Sequence, residues 1–201
     1  MKIAIATDAW SPQVNGVVTT LGQTRDHLVK AGHDVLMITP EGRRSIPCPT
    51  YPEIRFALFP GRAIARELDA FDPDCVHIAT EATIGLTVRR YCLKRGIPFT
   101  TAYHTQIPEY VRARFPIPVG WTVALMRWFH KPAVRTMVPT KSMRQTLLDR
   151  GFEDVVIWSR GVLTDVFTLD DPVEYDFKGP VWVYVGRVAV EKNIEEFLDL
   201  N

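Results

Sequence analysis

His104 closes the run FTTAYH, one residue beyond a Tyr, where an apolar segment gives way to polar residues. A histidine at such an exit either exchanges a proton or hydrogen bond with a substrate, or is held structurally. Asp8 leaves KIAIA in the same way, and Glu81 leaves CVHIA. A carboxylate there either binds a substrate hydroxyl or caps the next turn. Asn15-Gly16 stands directly before VVTTLGQTRDHLVKAGH, whose apolar spacing predicts an amphipathic helix. A glycine there permits close backbone approach, and helix amide groups behind it favour an anion. The plainer reading of Gly16 is a turn glycine. Near the end of the chain, VGRVAVEKN places Arg187 and Lys192 in a turn ahead of another helical stretch. Arginine offers forked hydrogen bonds and lysine a point charge, a pairing that suits a diphosphate. Two loop cations are equally the signature of a solvated turn.

A further stretch carries charge of one sign. Residues 110–148 contain no Asp or Glu but hold Arg112, Arg114, Arg127, Lys131, Arg135, Lys141 and Arg144. Within it, PVGWTVALMRWFHK is expected to set Trp121, Leu125, Trp128 and Phe129 on one helical face beside Arg127 and Lys131. That face either packs on a sheet or rests on an anionic membrane surface.

These residues need elements to position them. Apolar runs predict strands at 2–6, 34–39, 54–58, 75–79, 99–103, 136–140, 154–158 and 181–186. Helical patterns lie between most of them, at about 17–31, 61–70, 82–95, 107–114, 118–131 and 141–150. Runs without strict alternation suit strands covered on both faces, hence an α/β fold with a doubly wound, mostly parallel, Rossmann-like sheet. In KAGHDV, KRGIPF and DRGFEDV a glycine follows a basic residue at a helix end, the expected C′ position. In such a sheet ligands gather at the carboxyl ends of strands, where Asp8, Glu81 and His104 fall.

The 201 residues suit one large domain, or one domain and part of another. Residues 168–180 are acidic and rich in turn formers, so they read as a linker. The expected division is a Rossmann-like domain over 1–170, then a linker and the start of a second domain over 171–201. The alternative is a tail that folds back as an edge strand and cap. A formal net charge of +1 offers no general field for nucleic acid. Three scattered cysteines, Cys48, Cys75 and Cys92, suit reduced thiols in a cytoplasmic protein. FPIPVGWTVALM is the longest markedly apolar uncharged stretch, short of a membrane span. A dinucleotide fingerprint is absent after the first strand, which weakens a nicotinamide oxidoreductase reading. A non-catalytic, membrane-associated Rossmann module is the other alternative.

Taken in order, IAIATDAWSPQVNGVVTTL, KAGHDVLMITP, FDPDCVHIATEATIG, TAYHT, VPTKSM, RGVLTDVF and VGRVAVEKN give the chain a family likeness. It resembles the N-terminal half of a retaining glycosyltransferase with two Rossmann-like domains, in glycosyltransferase family 4, near bacterial mannosyl- and glucosyltransferases. The resemblance implies transfer of a hexose from a GDP- or UDP-sugar donor to an acceptor hydroxyl. It also implies a lipid acceptor at the inner face of the cell membrane, and no metal or other cofactor. By the same resemblance, Gly16 meets the donor diphosphate with Asn15 beside it, and His104 sits at the reacting centre. Arg187 and Lys192 stabilise the departing nucleotide, while Asp8 and Glu81 line the cleft on the substrate side. At Leu163 this chain departs from an acidic or amide residue common in the family. The paired-glutamate motif of the missing C-terminal domain is expected beyond Asn201, so the fragment is expected to be inactive alone.

Overall fold

A computed structural model of the chain describes residues 1–48, 51–168, 176–186, 188 and 192–199. Six strands form one parallel sheet: β1 (Lys2–Ala6), β2 (Asp34–Ile38), β5 (Cys75–Ile78), β6 (Phe99–Ala102), β7 (Arg135–Val138) and β8 (Val155–Ile157). Their order across the sheet is β2-β1-β5-β6-β7-β8. The helices are α1 (Gly16–Lys30), α2 (Gly61–Phe71), α3 (Thr83–Arg95), α4 (Ile107–Arg114), α5 (Val119–His130), α6 (Lys141–Asp149) and α7 (Ile194–Leu198). An antiparallel pair, β3 (Ser45–Cys48) and β4 (Tyr51–Ala57), is inserted between β2 and α2. The fold is therefore α/β with a Rossmann-like parallel sheet.

The first strand shows why the sheet is double-sided. Ala4 and Ala6 enter a core with Ile64, Leu68, Ile84 and Val88 from α2 and α3. Between them Ile5 enters a separate cluster with Leu21 and Val17 from α1. Successive strand side chains point to opposite faces, so a continuous apolar run buries both. Each buried Ile or Leu contributes about 1.5–3 kcal/mol relative to exposure. At three helix ends Gly32, Gly96 and Gly151 take φ of +83°, +67° and +77°, the left-handed C′ geometry expected from their sequence context.

Chain order reverses between β1 and β5, which opens a crevice at their carboxyl ends. Asp8 closes its floor. The carboxylate is 2 % exposed and accepts hydrogen bonds from Thr80 Oγ1 (2.9 Å), Thr83 Oγ1 (3.0 Å), Ile84 N (2.8 Å) and Gly85 N (3.3 Å). Two of the four amides that a helix leaves unpaired at its N-terminus are thus satisfied by a residue from another strand. The approach is close: a Cβ at Gly85 would lie 1.8 Å from the Thr80 carbonyl oxygen.

Two sequence expectations change. The pair β3–β4 contains a strand, SIPC, that was not anticipated, because Pro47 and the short run hide it. Residues 181–186 form no strand. Val181, Trp182, Val183 and Val185 are 51–90 % exposed, and with no neighbouring strand among the described residues, the apolar run has no ladder to join.

Cys92 is fully buried, and burial pushes its thiol up to about 12. His77 lies within β5, its Nδ1 2.9 Å from Thr100 Oγ1 and its Nε2 shielded from solvent without a hydrogen-bond partner among the described residues. Burial pulls its pKa from 6.5 to about 4.

Asp8→Ala would strand two amides and two hydroxyls, and Gly85→Ala would force α3 off the β5 loop. Each is expected to lower unfolding free energy by at least ~2 kcal/mol in urea titrations. An unchanged midpoint for either would show that α3 does not depend on this contact. The buried neutral His77 makes a separate, pH-dependent contribution. Its folded pKa is depressed, so the contribution is complete above 6.5 and is lost as pH falls from 6.5 towards 4. Over that window His77→Gln should lose less stability than wild type, by roughly 2–3 kcal/mol. Parallel pH curves for the two proteins would refute this.

Candidate active site

The loop from β1 to α1 is fixed by a relay of amide side chains. Gln13 Nε2 donates to the Asp8 carbonyl at 3.1 Å, and Asn15 Nδ2 donates to Gln13 Oε1 at 3.1 Å. Asn15 Oδ1 then accepts from Val17 N and Val18 N, both at 3.0 Å, as the N-cap of α1. The cap leaves Gly16 as the exposed first residue of the helix, at the positive end of its dipole. Asn15 thus positions the anion-favouring terminus from within the loop.

His104 arrives from the next strand but one. It follows β6 and lines a cavity of about 890 Å³ shared with Tyr103, Glu109, Thr140, Ser142 and Arg160. Arg160 Nη2 lies 3.0 Å from His104 Nδ1, while His104 Nε2 is buried without a hydrogen-bond partner among the described residues. Burial first, then the charge of Arg160, pulls the His104 pKa from 6.5 to about 3. The imidazole is neutral at physiological pH. Trp158 supports it, with ring centroids 5.9 Å apart, and Trp158 also meets His77 edge-on at 5.8 Å.

Arg160 was not singled out from sequence, although RGVLTDVF was. Its signal is the one that marked His104: a polar residue just past a strand, here β8. Arg160 Nη1 stands 3.5 Å from where a Cβ on Gly16 would lie, so one guanidinium spans the space between Gly16 and His104. It also lines a second cavity of about 360 Å³, which runs along Thr20, Gln23 and Thr24 of α1 to Leu163 and Phe167.

The other expected residues stand elsewhere. Both oxygens of Asp8 are taken by the start of α3, so capping describes its geometry rather than contact with a hydroxyl. Glu81 is also turned inward, its side chain 7 % exposed and Oε1 3.3 Å from His130 Nε2. That contact lacks hydrogen-bond alignment. His130 Nδ1 in turn meets Thr101 Oγ1 at 2.9 Å. Lys192 is exposed ahead of α7 and lines neither cavity. Arg187 lies outside the described residues.

The helix α5 divides its residues between two environments. Thr122, Met126, Phe129 and His130 are buried, with Phe129 at 1 %. Trp121, Leu125 and Trp128 are 74 %, 54 % and 50 % exposed, beside exposed Arg127 and Lys131. Phe129 therefore belongs to the core and not to the outer face, because it lies about 100° around the helix from Trp128. Phe115 and Ile117, just before the helix, extend the exposed apolar surface. Trp128 is braced by the Arg89 guanidinium 4.0 Å from its ring centre. Among the described residues no helix is long and apolar enough to cross a membrane.

Comparison with known proteins places this geometry. The model for glycosyltransferase family 4 matches residues 14–166. A GDP-mannose-dependent alpha-mannosyltransferase of Mycobacterium tuberculosis is 28 % identical, over 100 % of this chain and 59 % of its own length. An alpha-monoglucosyldiacylglycerol synthase of Acholeplasma laidlawii is 26 % identical, over 99 % of this chain and 58 % of its own length. A synthase of the same name from Streptococcus pneumoniae is 30 % identical over 55 % of this chain and 28 % of its own length. The chain spans less than two thirds of these relatives. A parallel sheet whose strand ends carry a helix N-terminus and a neutral histidine, matched by the family model over most of its length, leads to one statement: the chain belongs to glycosyltransferase family 4.

Proposed function

We propose that the protein transfers a hexose, mannose or glucose, from a nucleoside diphosphate sugar to a lipid hydroxyl, with retention of configuration. The observation that carries this reading is the convergence of Gly16 and His104 at one end of the sheet, linked through Arg160. Breaking a glycosyl–phosphate bond leaves negative charge on the diphosphate and positive charge on the sugar. In this reading the amide end of α1 meets the diphosphate at Gly16, which Asn15 holds in place. Preorganised dipoles and cations of this kind stabilise developing charge without reorganising. Arg187 and Lys192 supply the remaining positive charge, so the leaving group departs without a bound metal. His104, neutral and partly enclosed, faces the sugar. Asp8 and Glu81 act from beneath, by fixing α3 and His130 under the cleft. Residues 171–201 would then carry the chain into a second domain that completes the donor site.

The reading of the acceptor draws on α5. Relatives named alpha-monoglucosyldiacylglycerol synthase support a lipid acceptor. Indole rings beside cations suit the headgroup layer of an anionic bilayer. The protein would work at the inner face of the membrane, lying on it through this surface.

Incubation of the full-length protein with a panel of GDP- and UDP-sugars and a diacylglycerol-type acceptor should release nucleotide with one donor. In that protein Arg187→Ala, Lys192→Ala and His104→Ala should each lower kcat by about 10²-fold, as loss of one preorganised donor does elsewhere. Wild-type rates in both cation variants would exclude the diphosphate clamp. The membrane reading has its own measurement, vesicle sedimentation. Binding should require anionic lipid and weaken with salt, because each Lys or Arg near such a surface contributes about 1 kcal/mol within a Debye length. Arg127→Glu with Lys131→Glu should abolish most of it. Equal binding to neutral and anionic vesicles, or to neither, would point to a soluble acceptor.

A further inference from the structure

We propose that Arg160 is a positioning residue that fixes the tautomer of His104, so that its Nε2–H is the group offered to the substrate. The proposal deepens the transfer reading and rests on it only for the identity of that substrate.

The argument begins with what a guanidinium is able to do. Arginine has five N–H donors, no acceptor, and keeps its proton at any physiological pH. At 3.0 Å from Arg160 Nη2, His104 Nδ1 must therefore be the acceptor. A neutral imidazole carries one proton, so that proton sits on Nε2. The alternative tautomer would place two N–H groups face to face, and the imidazolium would add a second positive charge beside the first. Arg160 excludes both.

The consequence lies on the other side of the ring. Nε2 is shielded from bulk water and has no hydrogen-bond partner among the described residues, although a buried polar atom is normally paired. A buried N–H without an acceptor leaves its desolvation uncompensated. In a residue that lines the large cavity, such a group is poised for an acceptor that arrives from outside, such as a sugar hydroxyl oxygen. His104 then acts as a hydrogen-bond donor to the substrate and not as a general base. Trp158 and Arg160 hold the ring from two sides.

The lock is built from a specific geometry. Arg160 leaves the carboxyl end of β8, His104 that of β6, and the contact passes over β7. The other guanidinium nitrogen reaches towards Gly16.

Nitrogen-15 NMR of the histidine side chains in the 201-residue chain tests this without substrate or turnover, with His104→Gln used for assignment. In wild type, His104 should show a protonated Nε2 and an unprotonated Nδ1, and stay neutral down to pH 4–5. In Arg160→Met it should populate both tautomers and titrate at higher pH. Arg160→Lys, which keeps a donor and a charge, should restore part of the Nε2–H population. A His104 protonated at Nδ1 in wild type, or a tautomer ratio and titration unmoved in Arg160→Met, would overturn the proposal. Should Arg160→Met fail to fold, the wild-type tautomer and Arg160→Lys still decide it. In the full-length enzyme, Arg160→Met should lower kcat and shift the acid limb of its pH profile upward, with Arg160→Lys between. Absence of transfer with every sugar nucleotide would refute the transfer reading and leave the NMR result standing.

Discussion

One buried carboxylate holds the switch point together. Parallel strands meet side by side but share no turn, so nothing in the sheet itself fixes where the helix after β5 begins. Asp8 does this from β1: its two oxygens collect both threonine hydroxyls and both amides at the start of α3. The helix is thereby registered against the strand on the far side of the crevice. Burial raises the Asp8 pKa, while the four hydrogen bonds work in the opposite direction. Gly85 is the steric counterpart, because only a hydrogen fits beside the Thr80 carbonyl. The loops that carry chemistry are built outward from this frame, beginning with Gln13 on the Asp8 carbonyl.

Charge is distributed unevenly around that frame. Near the site the polar groups face inward; Glu109 Oε1 accepts from Arg150 at 2.7 Å, while its Oε2 is buried without a hydrogen-bond partner among the described residues. Basic side chains of the acid-free stretch lie on the surface, with Arg127 and Lys131 among them. The same helix thus has an apolar inner stripe that belongs to folding and an indole-rich outer stripe that does not. Burying Phe129 and exposing Trp121 answers both demands with one amphipathic pattern of unusual width.

Much of the frame was legible in the sequence. Six helices fall within about two residues of their expected limits, because apolar spacing, N-cap residues and C′ glycines all mark them. Strand runs at β1, β2 and β5 to β8 were legible for the same reason. What failed was pairing. The run at 181–186 has strand composition, yet a strand exists only where a neighbour supplies a ladder, and that is not written locally. Among site residues, His104 and Gly16 follow from their place at strand and helix ends. The inward turn of Asp8 and Glu81 does not, since a carboxylate at a strand exit looks the same whether donors approach from solvent or from the next helix. Arg160 escaped notice because its partner lies 56 positions away in sequence.

The contact between Arg160 and His104 also sets a minimum length. Strands in a sheet lie about 4.8 Å apart, so crossing from β8 to β6 over β7 means spanning nearly 10 Å. Among the charged side chains arginine has the longest reach, and it ends in a fork that still donates when the stem tilts. A serine, asparagine or threonine at 160 would stop above β7 and leave the imidazole free to choose its proton. The hydrogen-bonding sense of the cleft is therefore written one residue at a time along the sheet edge, in side-chain lengths as much as in side-chain charges.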